Sequence, residues 1–253
     1  MRLRERVTLI TGGGAGIGRA VALSFAREGA RVVVAEIDPE RGKSTAEAIQ
    51  RSNGTAIFVQ ADVSREDEIK ALVAATADRF GRVDVLFNNA AILFHQKDAR
   101  AHELSTEIWD RTHATNLRGL WLCSKYVIPL MLKQGGGSII HLASPTGLTG
   151  CAPGLTAYSS SKGGVIALTR VMAADYSRDN IRVNAIVPGT IDTPMNADLL
   201  RDEQARQRLT NMAPAGRLGK PEDICGLAVF LASDESQYCV GGLYMADGGL
   251  TAV

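Results

Sequence analysis

Four strand-length apolar runs in the first 88 residues, separated by three helical patterns, leave few folds open to this chain. The runs are Val7–Thr11, Arg31–Glu36, Thr55–Gln60 and Val83–Asn88. The second is Val-rich and does not alternate, as expected of a strand covered by helices on both faces. Val21, Leu23, Phe25 and Ala26 predict a helix over Arg19–Glu28, stopped by Gly29. Asp38-Pro39 supplies an N-cap and a proline at the first helical position, so a second helix should run to Ser52, before Asn53-Gly54. Ser64 with Asp67 reads as a capping-box variant opening a third helix, to Phe80. Strands alternating with helices predict a parallel sheet with right-handed crossovers.

The second half continues the pattern. Leu117–Lys133 reads as a helix with a kink at Pro129, Ser138–Ala143 as a strand, Ala157–Ser177 as a long helix and Ile181–Val187 as a strand. Thr193–Asn211 is polar and loosely helical, and reads as a mobile substrate flap around 193–212. A helix over Pro221–Ala232 and a short strand over Gly241–Met245 follow. With no linker, repeat or low-complexity segment in view, one doubly wound α/β domain over 1–253 is expected.

Composition narrows the function classes. The net charge is +1 with no basic block, so neither nucleic acid nor an acidic membrane surface is expected as a partner. The apolar runs are strand-length, which predicts no membrane span, and no signal-peptide core precedes the first strand. Cys123, Cys151, Cys225 and Cys239 lack CxxC spacing and fit free thiols in a reducing cytoplasm. His95, His102, His113 and His141 form no HxxxH or HExxH pattern, so no metal site is expected.

Chemistry enters at two places. Thr-Gly-Gly-Gly-Ala-Gly-Ile-Gly at 11–18 lies between the first strand and its helix. Glycines there allow a tight turn and close backbone approach, and the helix N-terminus offers amides and positive dipole to a pyrophosphate. Gly12, Gly16 and Gly18 form a GxxxGxG spacing. A Walker A loop is disfavoured, because Arg19-Ala20 follows Gly18 where Lys-Ser/Thr would be needed. Glu36 ends the second strand, where a carboxylate can accept hydrogen bonds from an adenosine ribose and repel a 2′-phosphate; the alternative is a strand-end surface acid. Asp62 either bonds adenine or caps the next turn. The second place is Tyr158 and Lys162, four apart and so on one helix face. An ammonium ~4 Å from a phenol at an effective dielectric of ~20 is worth roughly 4 kcal/mol, or about three pK units toward the phenolate.

These residues resemble the short-chain dehydrogenase/reductase family, in its NAD(P)-dependent branch. TGGGAGIG at 11–18, DV at 62–63, NNAA at 88–91, Asn116 in HATNLRG, Ser144 in HLASPTG, YSSSK at 158–162 and VPGTIDT at 187–193 stand in the family's order at nearly its spacing. GRLGKPEDICGLAVFLASDES and DGG near the C-terminus are similar to it as well. The resemblance implies a Rossmann-type fold, a seven-stranded parallel sheet in the order 3-2-1-4-5-6-7 with helices on both faces. It implies an NAD-dependent alcohol dehydrogenase/reductase, with NAD preferred over NADP because Glu36 is acidic and position 15 is Ala. Tyr158 would exchange the substrate proton. Lys162 would hold the nicotinamide ribose and lower the tyrosine pKa. Ser144 would bond the substrate oxygen, and Asn116 would anchor a water leading from Lys162. Gly12, Gly14, Gly16, Ile17 and Gly18 would line the phosphates, Glu36 and Ile37 the ribose, and Asp62 and Val63 the adenine. Asn89, Ala90, Pro188, Ile191 and Thr193 would line the rest of the cofactor cleft.

The sequence departs from the family pattern in three respects. Ala91 replaces the common glycine, the gap from Ser144 to Tyr158 is one residue longer than usual, and Pro145 follows Ser144. An extra residue within 150–156 accounts for the gap and keeps Ser144 in place, with Thr146 a poor second. Pro145 should hold Ser144 extended. Substrate is expected against 92–104, 145–155 and 194–212. His95, Gln96, Lys97, Arg100, Asn196, Arg201 and Arg206 there suggest a small polar alcohol such as a sugar, sugar acid or polyol. The alternatives are a ketoreductase acting on a ketone or acyl substrate, and a non-catalytic dinucleotide sensor, whose mark would be loss of the Tyr, Lys or Ser. The family resemblance further implies a homotetramer through the helices after Asn116 and Ala157, with Gly163, Gly164 and Ala167 permitting close approach.

Overall fold

Val7–Thr11 (β1) is buried at every position, which places it mid-sheet. The computed structural model describes residues 1–252. β1 pairs in parallel with β2 (Arg31–Glu36) on one side and β4 (Val85–Asn88) on the other. β3 (Thr55–Gln60) lies beyond β2, and β5 (Gly137–Leu142), β6 (Ile181–Pro188) and β7 (Leu243–Ala246) lie beyond β4. The order β3-β2-β1-β4-β5-β6-β7 is the one expected. It reverses direction between β1 and β4, which opens a crevice at the carboxyl ends of the central strands.

Both faces of the sheet are covered. Ile10, Val34, Phe87 and Ile140 pack with α1 (Gly16–Arg27), α2 (Pro39–Arg51) and α9 (Glu222–Ala232). Leu9, Val33, Leu86 and Ile139 face α3 (Glu66–Phe80), α5 (Leu120–Gln134) and α6 (Thr156–Tyr176) on the other side. Adjacent strand residues therefore serve opposite cores, which is why β2 shows no polar alternation.

Two local expectations change, and one helix is added. The helix after the glycine turn begins at Gly16, so the turn and the helix N-terminus are one unit. Ser64 does not cap α3: its hydroxyl donates to Asp62 Oδ1 at 2.8 Å, and the helix starts at Glu66. The stretch before Asn116 contains a helix, α4 (Thr106–His113), with Ser105 accepting from the Ile108 amide at 3.3 Å. A π turn, Ala114–Gly119, joins α4 to α5. Pro129 sits inside α5 without ending it.

The expected flap forms a short turn at Pro194–Asn196, then α7 (Ala197–Leu200) and α8 (Glu203–Met212). Leu200 and Ala205 are the residues these two helices bury. Among the described residues no helix is long and apolar enough to cross a membrane, and no cluster of three or more His, Cys, Asp or Glu could hold a metal.

Candidate active site

The glycine turn follows β1 directly. A Cβ on Gly18 would lie 2.1 Å from the Gly12 carbonyl oxygen, so only hydrogen fits there, and Gly12 itself has φ +63°. Asn89, at the end of β4, holds the turn from below. Its Nδ2 donates to the carbonyls of Thr11 (3.1 Å) and Gly12 (2.9 Å), while Thr11 Oγ1 accepts from the amides of Asn89 and Ala90. Ala15 is the N-cap of α1 and has no side-chain acceptor. The first turn, Gly16-Ile17-Gly18-Arg19, carries no carboxylate. The Arg19 amide donates to the Ala15 carbonyl at 3.1 Å, and the dipole and the amides of Gly16, Ile17 and Gly18 are left for an anion in the cleft.

At one end of the cleft stands Glu36. Its Oε2 accepts from the Gly14 amide at 2.9 Å, and its Oε1 from Ile37 (3.0 Å) and Asp38 (3.3 Å). A carboxylate offers about four lone-pair sites, so Oε2 retains one for a ribose hydroxyl. Arg41, on the first turn of α2, lines the same end and pairs with Asp38 at 3.1 Å. Asp62 Oδ1 accepts from the amide and hydroxyl of Ser64, the capping alternative, while Val63 lines the cleft beside it.

The other end carries Ser144, Tyr158 and Lys162. Ser144 follows β5 by two residues in the extended conformation expected before proline, φ −163° and ψ 151°. Its Oγ accepts from the amide (3.3 Å) and hydroxyl (3.1 Å) of Thr146, which directs its own proton toward Tyr158. The Ser144 turn packs closely on α6: a Cβ on Gly147 would lie 2.6 Å from the Gly163 amide. Lys162 is 3% exposed, and its Nζ donates to the Leu142 carbonyl at 2.6 Å. The ammonium lies 5.7 Å from the centre of the Tyr158 ring.

Electrostatics here reverse one expectation. Burial pushes the Tyr158 phenol up to about 12, partly offset by the Ser144 hydroxyl. Burial also pushes Lys162 down to about 8. In the protein alone, removal from water sets the direction of the phenol's shift. Behind Lys162, buried His141 is held neutral, pushed down to about 3 by burial and by the lysine charge. Thr169 Oγ1 donates to the Val165 carbonyl at 2.7 Å, so it accepts from Nδ1–H of His141 at 2.9 Å.

Asn116 sits in the π turn, 1% exposed. Its Oδ1 accepts from the Ile92 amide (2.8 Å), and its Nδ2 donates to the Ile92 carbonyl (2.9 Å) and Ser161 Oγ (3.2 Å). The side chain clamps the exit of β4 to α6 and keeps one lone pair for a solvent molecule.

These ends form one cleft of about 520 Å³. Gly12, Gly16, Ile17, Glu36, Ile37, Asp62, Val63, Asn89, Ala90, Ser144, Tyr158, Lys162, Pro188, Ile191 and Thr193 line it. Gly14, Gly18 and Asn116 act from behind the wall. Leu93, Phe94 and Met195, within the segments expected to meet substrate, also line the cleft, and so does Arg41, which sequence reasoning missed. Arg41 follows three residues after the Asp38 cap, and that spacing was the available signal. Of the polar residues expected to meet substrate, Asn196 alone lines the cleft. Gln96, Lys97 and Arg100 are exposed. Arg201 and Arg206 pair with Asp198 (2.9 Å) and Asp192 (3.3 Å). Uncapped helix amides, an acid with one free lone pair and a buried lysine at the far end fit an elongated dinucleotide.

Comparison with known proteins agrees with this geometry. The family model described as enoyl-(acyl carrier protein) reductase matches residues 12–251. A 3-oxoacyl-[acyl-carrier-protein] reductase of Thermotoga maritima is 41% identical over 250 residues, covering 99% of each chain. An oxidoreductase of Bacillus subtilis with no assigned substrate is 43% identical, covering 99% of this chain and 93% of its own. A structure assigned provisionally as an NAD(P)-dependent gluconate 5-dehydrogenase of Beutenbergia cavernae, with NADP bound at low occupancy, superimposes with TM-score 0.94. It shares 36% identity and covers 99% of this chain and 98% of its own. Levodione reductase superimposes with TM-score 0.95 at 35% identity over the whole of both chains.

Proposed function

The chain belongs to the short-chain dehydrogenase/reductase family, and on that premise we propose that it interconverts a small secondary alcohol and its ketone, using Tyr158, Ser144 and Lys162. One observation carries this reading: a phenol, a hydroxyl and an ammonium converge at one end of a cleft whose other parts are a glycine turn and Glu36. Bound NAD(P) supplies the hydride acceptor or donor. Tyr158 Oη takes or gives the hydroxyl proton of the substrate. Ser144 donates to the substrate oxygen, where charge changes during reaction. Lys162, fixed on the Leu142 carbonyl, holds positive charge beside the phenol and would hold the cofactor ribose. Asn116 keeps β4 and α6 in register beneath them. The whole chain, 1–253, is read as one functional domain with 193–212 as its flap, working in the cytoplasm.

NAD is the proposed first choice of dinucleotide, because Glu36 stands where a 2′-phosphate would meet a negative charge. Arg41 beside it offers that phosphate a cation, so NADP is the second choice. A hydrogen bond to a charged group is worth about 1.5–3 kcal/mol, so Glu36→Gln should lower kcat/KM for NAD by about tenfold or more. The value for NADP should rise. Steady-state kinetics with both cofactors check this, and a wild-type preference for NADP would remove the role given to Glu36.

The substrate reading follows from the wall. Leu93, Phe94 and Met195 give an apolar flank, and Asn196 one polar contact. A compact ketone or alcohol with one apolar face and one polar edge fits best. Likeness to two structures assigned as gluconate dehydrogenases keeps sugar acids as the second reading. A panel of cyclic and branched ketones, sugar acids and polyols separates the two.

We read the chain as a homotetramer. Leu117 of the π turn, Trp121 of α5, and Ala167 and Val171 of α6 line an open apolar hollow, with Trp121 42% and Val171 52% exposed. An exposed apolar face of this kind supports the reading of a subunit contact. Val171→Arg should shift the mass measured by light scattering from tetramer toward smaller species; an unchanged mass would remove this face from the assembly.

A further inference from the structure

The first turn of the catalytic helix takes its capping acceptor from another part of the chain. Leu155, the N-cap of α6, has no side-chain acceptor. First-turn amides need partners from outside the helix. Two of them find one carboxylate: Ala157 N donates to Asp98 Oδ1 at 3.0 Å and Tyr158 N to Asp98 Oδ2 at 2.9 Å. Asp98 Oδ1 also accepts from the Ala99 amide at 3.0 Å, and Thr156 Oγ1 donates to the Ala99 carbonyl at 2.6 Å. The capping residue is thus 60 residues away in sequence and bonds the very amide of the tyrosine.

Asp98 belongs to a tight turn. The amides of Lys97 and Asp98 both donate to the Phe94 carbonyl, at 2.9 and 2.8 Å. Leu93 and Phe94 of the same segment line the cleft, and His95 Nε2 lies 3.1 Å from Asn196 Oδ1 at the root of the flap. A carboxylate is favoured at a helix N-terminus and makes charge-assisted bonds there. The segment that forms the substrate wall is therefore held to the helix that carries the phenol by the Asp98 carboxylate, with Thr156 on the Ala99 carbonyl as a second tie.

We propose that Asp98 is a positioning residue: its carboxylate couples the seating of the 93–99 segment to the placement of Tyr158. This rests on the role given to Tyr158 above. A loss of alignment of about an ångström can lower a rate by about a hundredfold. Replacing Asp98 should therefore lower kcat while leaving the dinucleotide site, built on β1 and β2, in place.

Asp98→Ala and Asp98→Asn test this with two independent readouts. Hydrogen–deuterium exchange reads the coupling without any substrate. In Asp98→Ala, the amides of 157–158 and those of 93–99 should lose protection together, while 165–173 in the same helix keep theirs. Kinetics read the consequence: kcat should fall about ten- to a hundredfold, with NADH affinity by fluorescence within about twofold of wild type, and with a larger isotope effect from deuterated alcohol. Asp98→Asn keeps one acceptor and should fall between the two, which also covers a poorly folding alanine variant. Unchanged protection at 157–158 would overturn the proposal whatever the enzyme does. Lost protection with wild-type kcat and KM would overturn the coupling. Should wild type turn over no alcohol or ketone, the proposed reaction fails, and the exchange experiment still decides whether loop and helix are coupled.

Discussion

Tyr158→Phe is expected to lower turnover by about 10²–10⁴-fold, the range for removing a general acid/base. The substitution removes one oxygen and leaves the ring, which is half-buried against the cleft. NADH affinity, measured by fluorescence titration, should stay within about threefold of wild type, because the glycine turn, Glu36 and Lys162 are untouched. The pairing of these two results is the diagnostic. Loss of both turnover and binding would indicate a collapsed site. Retention of near wild-type turnover would show that the phenol is not the proton carrier, and the sensor reading would gain ground if wild type bound NADH and turned over nothing.

Lys162→Met should have two effects of opposite kind. Activity should fall by at least about a hundredfold, since the positive charge beside the phenol disappears. Stability at pH 7 should rise. Burial holds Lys162 at about 8 instead of 10.5, a difference of about 3 kcal/mol that the folded protein bears while the lysine is charged. The sign is fixed by the direction of the change. Between pH 8 and 10.5 the unfolded chain binds more protons than the folded one, so the destabilisation is complete below about pH 8 and fades as pH rises to 10.5. The advantage of the methionine variant in urea midpoint should therefore be largest near neutral pH and shrink through that window. Loss of the bond to the Leu142 carbonyl will reduce the gain, so about 1–3 kcal/mol is the expected size. A variant less stable than wild type at pH 7 would mean that the ammonium is better solvated than its burial implies.

Much of the framework was legible from the chain because it is locally encoded. Gly29, Asp38-Pro39 and the apolar runs bounded the early elements within a few residues. The glycine turn and the Tyr158–Lys162 spacing were visible without any fold. α4 was missed because Ser105 is a cap without a strong apolar stripe behind it: Ile108 and Thr112 are its buried residues. The partners of the flap charges were hidden for a related reason. Sequence shows that Arg201 and Arg206 exist in the flap, and only the tertiary structure shows that they pair with Asp198 and Asp192.

The sequence alone determined the order of strands and helices, the turn that can take a phosphate, and the acid, phenol and ammonium available to the site. Those properties depend on spacing over fewer than about ten residues, within the reach of helical and strand periods. Tertiary structure decided what each of these groups can do. It set the direction of the Tyr158 and Lys162 pKa shifts, because burial sums over many neighbours from several elements. It engaged Asn116 with Ile92 and Ser161, and it brought Asp98 to the first turn of α6. Contacts across 24, 45 and 60 residues carry no periodic signature, so they come into being only when the parallel sheet gathers its carboxyl ends at one crevice.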